Sequence, residues 1–178
     1  MQEVRVPLLI ISGPVGVGKT TVANEVSSIL ERRDVAHTLL DMDVLAETYP
    51  RAADDPFAQR LALKNLRDVW RNSAATGSQN LVIPRVVESQ DNVISIVSAV
   101  PNAQVTVCQL FASADVLTAR VHRREMGLGR EWHEARALEL AVSLRHDAPA
   151  DFTIETDNRV PLDIAQEIVA KVAWVEPA

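Results

Sequence analysis

Apolar positions along the chain follow two alternating rhythms. Compact runs such as Leu8-Leu9-Ile10-Ile11 and Leu81-Val82-Ile83 have no polar break, as expected of strands buried on both faces. Residues 36–41 (AHTLLD), the Val105, Val107 and Leu110 stretch and residues 152–154 read as further strands. Between these runs the spacing switches to helical. Val22, Ala23, Val26, Ile29 and Leu30 share one face, as do Ala62, Leu66, Val69 and Trp70 in a helix expected over residues 57–75 that ends before Gly77. Val93, Ile94 and Val97 predict another helix, closed by Pro101. Ser113 is placed to cap a helix carrying Val116, Leu117 and Val121. Trp132, Ala135, Leu138 and Val142 share one face of a helix over residues 131–145, and Pro161 opens a last one carrying Ala165, Ile168, Val169 and Val172.

Strands alternating with helices from end to end predict one α/β domain spanning residues 1–178, three layers deep, with a mostly parallel sheet and right-handed crossovers. Two stretches fall outside the rhythm. Residues 41–58 contain Tyr49-Pro50 and Asp54-Asp55-Pro56, which is turn chemistry and reads as a surface excursion. Gly127 and Gly129 interrupt the helical pattern and make residues 120–132 a lid candidate. Ligands of open parallel sheets sit at the carboxyl ends of the strands, which singles out Gly13, Asp41, Pro84-Arg85, Phe111 and Thr156.

The first of these ends carries a motif. Gly13-Pro14-Val15-Gly16-Val17-Gly18-Lys19-Thr20 fits the G-x-x-x-x-G-K-[ST] phosphate loop between a strand and a helix, the context that motif requires. Its glycines let main-chain N–H groups from Val15 through Gly16, Val17, Gly18, Lys19 and Thr20 to Thr21 converge on a polyphosphate at the helix N-terminus. A glycine-rich turn that bound nothing would give Lys19 no task. The expectation is that Lys19 reaches the β- and γ-phosphates of a nucleotide and that the Thr20 hydroxyl ligates Mg²⁺.

Composition narrows the classes. A chain of 178 residues with 47% hydrophobic and 24% charged residues is ordinary for a globular protein, and disordered and fibrous classes are excluded. A formal charge of −6 argues against a generally basic nucleic-acid-coating surface. Cys108 is the single cysteine, so neither an intramolecular disulfide nor a multi-cysteine metal site can form, and it reads as buried strand packing. The start MQEVRVP lacks signal-peptide character and no run of about 18 apolar residues occurs, which predicts a cytoplasmic protein without a membrane span.

Other candidates cluster at the same end of the sheet. Asp41 and Asp43 stand two apart at a strand end, where period-two geometry would turn both to one side and Met42 to the other. Phosphoryl transfer to a hydroxyl needs an oriented acceptor, a proton acceptor and neutralised phosphate charge. Asp43 is the candidate base holding the acceptor hydroxyl and Asp41 the candidate support of Mg²⁺ through water; a polar turn with Asp41 capping the next helix is the alternative. Arg120, Arg123 and Arg124 share a helical face ahead of the glycine break and Arg130 follows it, so lid arginines stabilising phosphoryl charge compete with a solvated basic face. Arg120 and Arg124 are the first choices. Arg85 is a candidate acceptor ligand or a surface arginine. Thr156-Asp157-Asn158-Arg159 is either a nucleobase-side loop, with Thr156 and Asn158 as contacts, or an ordinary strand-to-helix turn. No metal-ligand spacing supports a role for His37, His122, His133 or His146.

Together GPVGVGKTT at residues 13–21, DMD at 41–43, LFASADVLTARVHRR at 110–124 and DFTIETDNRVPLDIAQEI at 151–168 resemble P-loop small-molecule kinases of the nucleoside-monophosphate-kinase-like group, which includes shikimate, gluconate and adenylylsulfate kinases and chloramphenicol phosphotransferase. The resemblance implies a five-stranded parallel sheet of order 2-3-1-4-5 flanked by helices, a small lid, ATP and Mg²⁺ as cofactors and a small-molecule hydroxyl as acceptor. It implies that Asp43 contacts the acceptor, that Arg120 and Arg124 are lid arginines and that the loop from Thr156 lies near adenine. The chain departs from the group in having no acid where IPRVVE and VCQLFA end the third and fourth strands, and residues 44–57 match no member closely. A nucleotide-dependent switch or ATPase acting through a protein partner, or a binding protein without turnover, stays open beside the kinase.

Overall fold

The computed structural model describes residues 5–124 and 130–174, with the side chains of Arg124, Arg130, Glu131 and Asp147 outside that description. Strands β1 (Val6–Ser12), β2 (His37–Leu39), β3 (Asn80–Pro84), β4 (Ala103–Phe111) and β5 (Phe152–Glu155) form one sheet of order β2-β3-β1-β4-β5. Every pairing is parallel, as expected for strands joined by helical crossovers. The helices are α1 (Lys19–Arg32), α2 (Met42–Leu45), α3 (Gln59–Ala75), α4 (Gln90–Ala99), α5 (Ala114–Arg124), α6 (Arg130–Asp147) and α7 (Pro161–Val172). Among the described residues no helix is long and apolar enough to cross a membrane.

The uninterrupted apolar strands serve two cores at once. Leu9 and Ile11 of β1 pack with Val82, Cys108 and Leu110 against Val22, Val26 and Leu30 of α1 and Ile164 and Ile168 of α7. Leu8 and Ile10 turn the other way, packing with Leu81, Ile83 and Val107 against Ala62, Leu66 and Trp70 of α3 and Val93 and Ile96 of α4. A third, smaller cluster joins Phe111 at the end of β4 to Leu140 and Leu144 of α6, with Val15 and Val86 packed against it. Through that cluster α6 rests on the phosphate-loop residue Val15.

Several local expectations are corrected. The second strand ends at Leu39 rather than at residue 41, and Asp41 instead caps α2, a short helix inside the stretch expected to lack regular structure. Asp41 and Asp43 therefore do not share a strand face; Asp43 lies in the first turn of α2, while Met42 does turn into the core. The third helix begins at Gln59, where Asp55 accepts hydrogen bonds from the Gln59 and Arg60 N–H groups and satisfies two free donors of the first turn. In α4 the inward positions are Val93, Ile96 and Ala99, and Ile94 is exposed, because the Ser89–Asn92 capping box sets the start of the helix. The face expected to bury α6 is wrong: Ala137, Leu140 and Leu144 are buried, whereas Trp132 and Val142 are 59% and 65% exposed. That helix is apolar on both sides, so spacing alone could not identify the inward one. The Gly127 and Gly129 break lies outside the described residues.

Candidate active site

The phosphate loop leaves the end of β1 and enters α1 at Lys19, with Gly18 as the left-handed N-cap. Two glycines fix how closely the loop is held. A Cβ on Gly13 (φ 143°) would lie 2.6 Å from the Leu110 carbonyl oxygen, and one on Gly16 (φ 81°) would lie 2.9 Å from Cγ2 of Val121. The loop is thus wedged between the end of β4 and α5, in a backbone conformation that favours glycine. Lys19 Nζ donates to the Gly13 and Pro14 carbonyl oxygens, 3.0 Å each, which lays the ammonium along the loop it belongs to.

Asp41 meets this loop directly. Thr20 Oγ1 donates to Asp41 Oδ2 (3.1 Å), and Asp41 Oδ1 accepts from the Asp43 N–H (2.9 Å). One carboxylate therefore caps α2 and faces the threonine, so the two readings of Asp41 are compatible. The Asp43 carboxylate, 74% exposed, pairs with Arg85, whose side chain is only 19% exposed. Arg85 is set at the sheet end by its own N–H, which continues the parallel ladder to the Ile11 carbonyl (3.0 Å) just past Pro84. Its side chain is partly buried where it meets Asp43. These four side chains supply oxygen donors beside a helix N-terminus and a paired acid and base group a few residues away.

The arginines expected to form a lid separate. Arg120 is held on the core side: Nη1 donates to the Val17 carbonyl (3.0 Å) and Thr156 Oγ1 (2.9 Å), and Nη2 donates to the Thr156 carbonyl (3.1 Å). It ties the phosphate loop to the turn after β5. Arg123 is exposed. The side chains of Arg124 and Arg130, and the glycine break between them, lie outside the described residues. Thr156 is buried and its N–H donates to Phe111 O (2.8 Å), Asp157 accepts from the Ser113 N–H, and Asn158 takes a left-handed turn with φ 55°. The strip from Thr156 to Asn158 is thereby fixed beside α5.

Other residues of this region carry no signal in the sequence. The buried Ser12 hydroxyl accepts from the Val87 N–H (3.0 Å) and pins the loop after β3. Arg136 of α6 bridges to Glu88 on that same loop (2.6 Å) and to Glu139 (2.9 Å); the Glu139 hydrogen bond raises the Arg136 pKa further. His122 and Glu134 join α5 to α6 at 2.8 Å. Such long-range pairs depend on tertiary placement and have no fixed spacing. Cys108 is fully buried in β4, and burial pushes its thiol up to about 12.

A divalent ion has a partial donor set here. Among the described residues no group of three or more His, Cys, Asp or Glu side chains is placed to hold a metal, whereas Thr20 Oγ1 and an Asp41 oxygen adjoin each other at the start of α1. That fits Mg²⁺, which keeps several waters and takes its remaining ligands from phosphate and one or two protein oxygens.

No protein-family model and no protein of curated function matches the sequence. Solved structures do match. The chain is similar to the tunicamycin resistance protein of Deinococcus radiodurans at 21% identity, covering 94% of this chain and 96% of that one with a TM-score of 0.64. It is similar to a gluconokinase from Sinorhizobium meliloti at 17% identity, covering 95% and 93% with a TM-score of 0.62. An APS kinase from Mycobacterium tuberculosis, solved with AMPPNP and APS, matches at 19% identity over 95% of this chain and 98% of that one, TM-score 0.63. The architecture is that of P-loop small-molecule kinases, with the expected strand order.

Proposed function

We propose that the protein is an ATP-dependent phosphotransferase that moves the γ-phosphoryl group to a hydroxyl of a small molecule. The observation that carries this reading is the meeting of the phosphate loop with an acid and a paired acid–base at one end of the sheet: Thr20 on Asp41, and Asp43 on Arg85. A loop that only bound nucleotide would not need the second pair.

In this reading the main-chain N–H groups of residues 15–21 and the Lys19 ammonium hold the triphosphate, Lys19 exchanging the Gly13 and Pro14 carbonyls for phosphate oxygens. Thr20 and Asp41 would hold Mg²⁺, Asp41 through water, and the ion would supply charge neutralisation to the transferring phosphoryl group. Asp43 takes the proton of the acceptor hydroxyl and Arg85 orients both the carboxylate and the acceptor. Arg120, with Thr156 and Asn158, shapes the nucleoside side of the site. Its catalytic part is to position, because its guanidinium is committed to Val17 and Thr156. Arg124 stands as the arginine that adds positive charge to the transferring group. The similarity to kinases, among them the APS kinase solved with AMPPNP, supports ATP as donor.

The test is incubation with Mg-ATP and a panel of hydroxylated metabolites and antibiotics, following ADP release and acceptor mass. One compound gaining a single phosphoryl group, dependent on Asp43, is the expected result. Nucleotide hydrolysis that leaves every acceptor unchanged and is stimulated by a protein partner would refute the proposal.

A further inference from the structure

Ser12 ends an otherwise apolar strand. Leu8, Leu9, Ile10 and Ile11 precede it, the phosphate loop begins at the next residue, and its side chain is fully buried. A buried hydroxyl is costly unless it is hydrogen-bonded, and here it accepts from the Val87 N–H at 3.0 Å. The register of the sheet shows what this bond replaces. Ile11 lies level with Pro84, and its carbonyl accepts from the Arg85 N–H (3.0 Å), the next rung of the parallel ladder. Continued by two residues, the ladder would join the Gly13 carbonyl to the Val87 N–H. At Gly13, however, the chain turns out of the sheet with φ 143°, and its carbonyl accepts from Lys19 Nζ (3.0 Å). The Ser12 hydroxyl takes the rung that the phosphate loop vacates.

We infer that Ser12 is a positioning residue of the phosphotransfer site, its hydroxyl fixing Arg85 against Asp43 in register with the phosphate loop. The functional consequence rests on the kinase reading; the geometry does not. Arg85 stands between two holds, Ile11 on its own N–H and Ser12 on the N–H two residues later. Together they set the backbone on both sides of Arg85, whose partly buried side chain then meets Asp43. The far end of the segment is tied to helices: the Glu88 and Ser89 N–H groups donate to Asn92 Oδ1 of α4, and Glu88 pairs with Arg136 of α6. Ser12 ties it to the strand that becomes the phosphate loop.

The substitution also separates two demands on Gly13. In the kinase reading Lys19 leaves the Gly13 carbonyl when a triphosphate binds, and that carbonyl then becomes open to the Val87 N–H. Capture of Val87 would draw the Arg85 segment toward the loop. Because Val87 is already satisfied by Ser12, the Arg85–Asp43 pair keeps its place as nucleotide comes and goes.

The experiment compares Ser12→Ala, Ser12→Cys and Ser12→Thr in the full chain. Cysteine is close to serine in size but a weak acceptor, whereas threonine keeps the hydroxyl. The first readout needs no acceptor: the heteronuclear NMR signals of the Arg85 guanidinium, assigned by their loss in Arg85→Lys, with those of Arg120 as an internal reference. Alanine and cysteine are expected to shift or broaden the Arg85 signals and threonine to restore them, with the Arg120 signals unmoved. The second readout is turnover of the compound that gains phosphate in the acceptor panel. A misplacement on the order of 1 Å can cost about 10²-fold, so kcat should fall by at least about tenfold in Ser12→Ala and Ser12→Cys and recover in Ser12→Thr, with the affinity for a nonhydrolysable ATP analogue unchanged. A loss of fold stability alone would not produce that split or its rescue. Arg85 signals unchanged in both alanine and cysteine variants would overturn the inference, as would wild-type kcat in both. A wild type that phosphorylates no acceptor would instead refute the kinase reading, and the Arg85 signals would still decide whether Ser12 sets the pair.

Discussion

Replacing Arg120 with alanine is the perturbation that reaches furthest into this site. The guanidinium makes three hydrogen bonds, two of them to the carbonyl oxygens of Val17 and Thr156, and both of those residues are only 1% exposed. Hydrogen bonds from a charged donor contribute about 1.5–3 kcal/mol each, and a buried acceptor left without a partner costs about 1–3 kcal/mol. The three bonds share one donor group and do not add, so a loss of about 3 kcal/mol is expected. For a chain of this size that corresponds to a fall in Tm of roughly 6–12 °C. Urea denaturation followed by far-UV circular dichroism, with Mg-nucleotide affinity measured on the same preparations, reads both consequences. Arg120→Lys should recover little, because an ammonium cannot bridge the fork of Val17 and Thr156 acceptors. If Arg120→Ala lost less than about 0.5 kcal/mol and bound nucleotide as tightly as the wild type, the tie between the phosphate loop and the β5 turn would have no energetic content, contrary to this reasoning.

Three further outcomes follow from named atoms. Asp43→Asn is expected to lower kcat by about 10²–10⁴ with nucleotide affinity unchanged, read by coupled ADP release once the acceptor is in hand; full turnover would remove Asp43 as the base. Gly16→Ala forces a Cβ to 2.9 Å from Cγ2 of Val121 at φ 81°, and should cost about 1–3 kcal/mol in chemical denaturation, with no change meaning that α5 yields freely. The folded-state pKa of Cys108 is raised from 9.0 to about 12 by burial, so the folded state holds this proton more tightly than the unfolded one. The associated stability is full below pH 9 and declines as pH rises toward about 12; the excess alkaline loss of stability relative to Cys108→Ala, measured from pH 7 to 11, checks the sign.

The sheet was legible because its strands are buried on both faces and announce themselves as unbroken apolar runs, and because GPVGVGKT specifies a strand–loop–helix on its own. Local chemistry also placed Asp41 as a possible cap. What failed failed for identifiable reasons. Period-two reasoning for Asp41 and Asp43 presumed that the strand continued, whereas the carboxylate of Asp41 accepts the Asp43 N–H and starts a helix instead. The apolar stripe of α6 through Trp132 and Val142 is real but faces solvent, since Leu140 and Leu144 form a second stripe that fits the Phe111 and Val15 surface. Arg120 shared a helical face with Arg123 and Arg124, yet only tertiary contacts decide that it joins Val17 to Thr156. Arg85 with Asp43, and Arg136 with Glu88, connect residues more than 40 positions apart, a distance at which no spacing rule operates.

The central claim is that the loop at the start of α1 grips a nucleotide's triphosphate beside Asp41 and Asp43. A crystal of the protein with Mg²⁺ and a nonhydrolysable ATP analogue tests it most directly. The account predicts β- and γ-phosphate oxygens on the main-chain N–H groups of residues 15–20, with Lys19 Nζ moved from the Gly13 and Pro14 carbonyls onto phosphate and the metal bound between Thr20 and the Asp41 side. An analogue found elsewhere on the molecule, or a Lys19 that keeps both carbonyls while the analogue is bound, would contradict it.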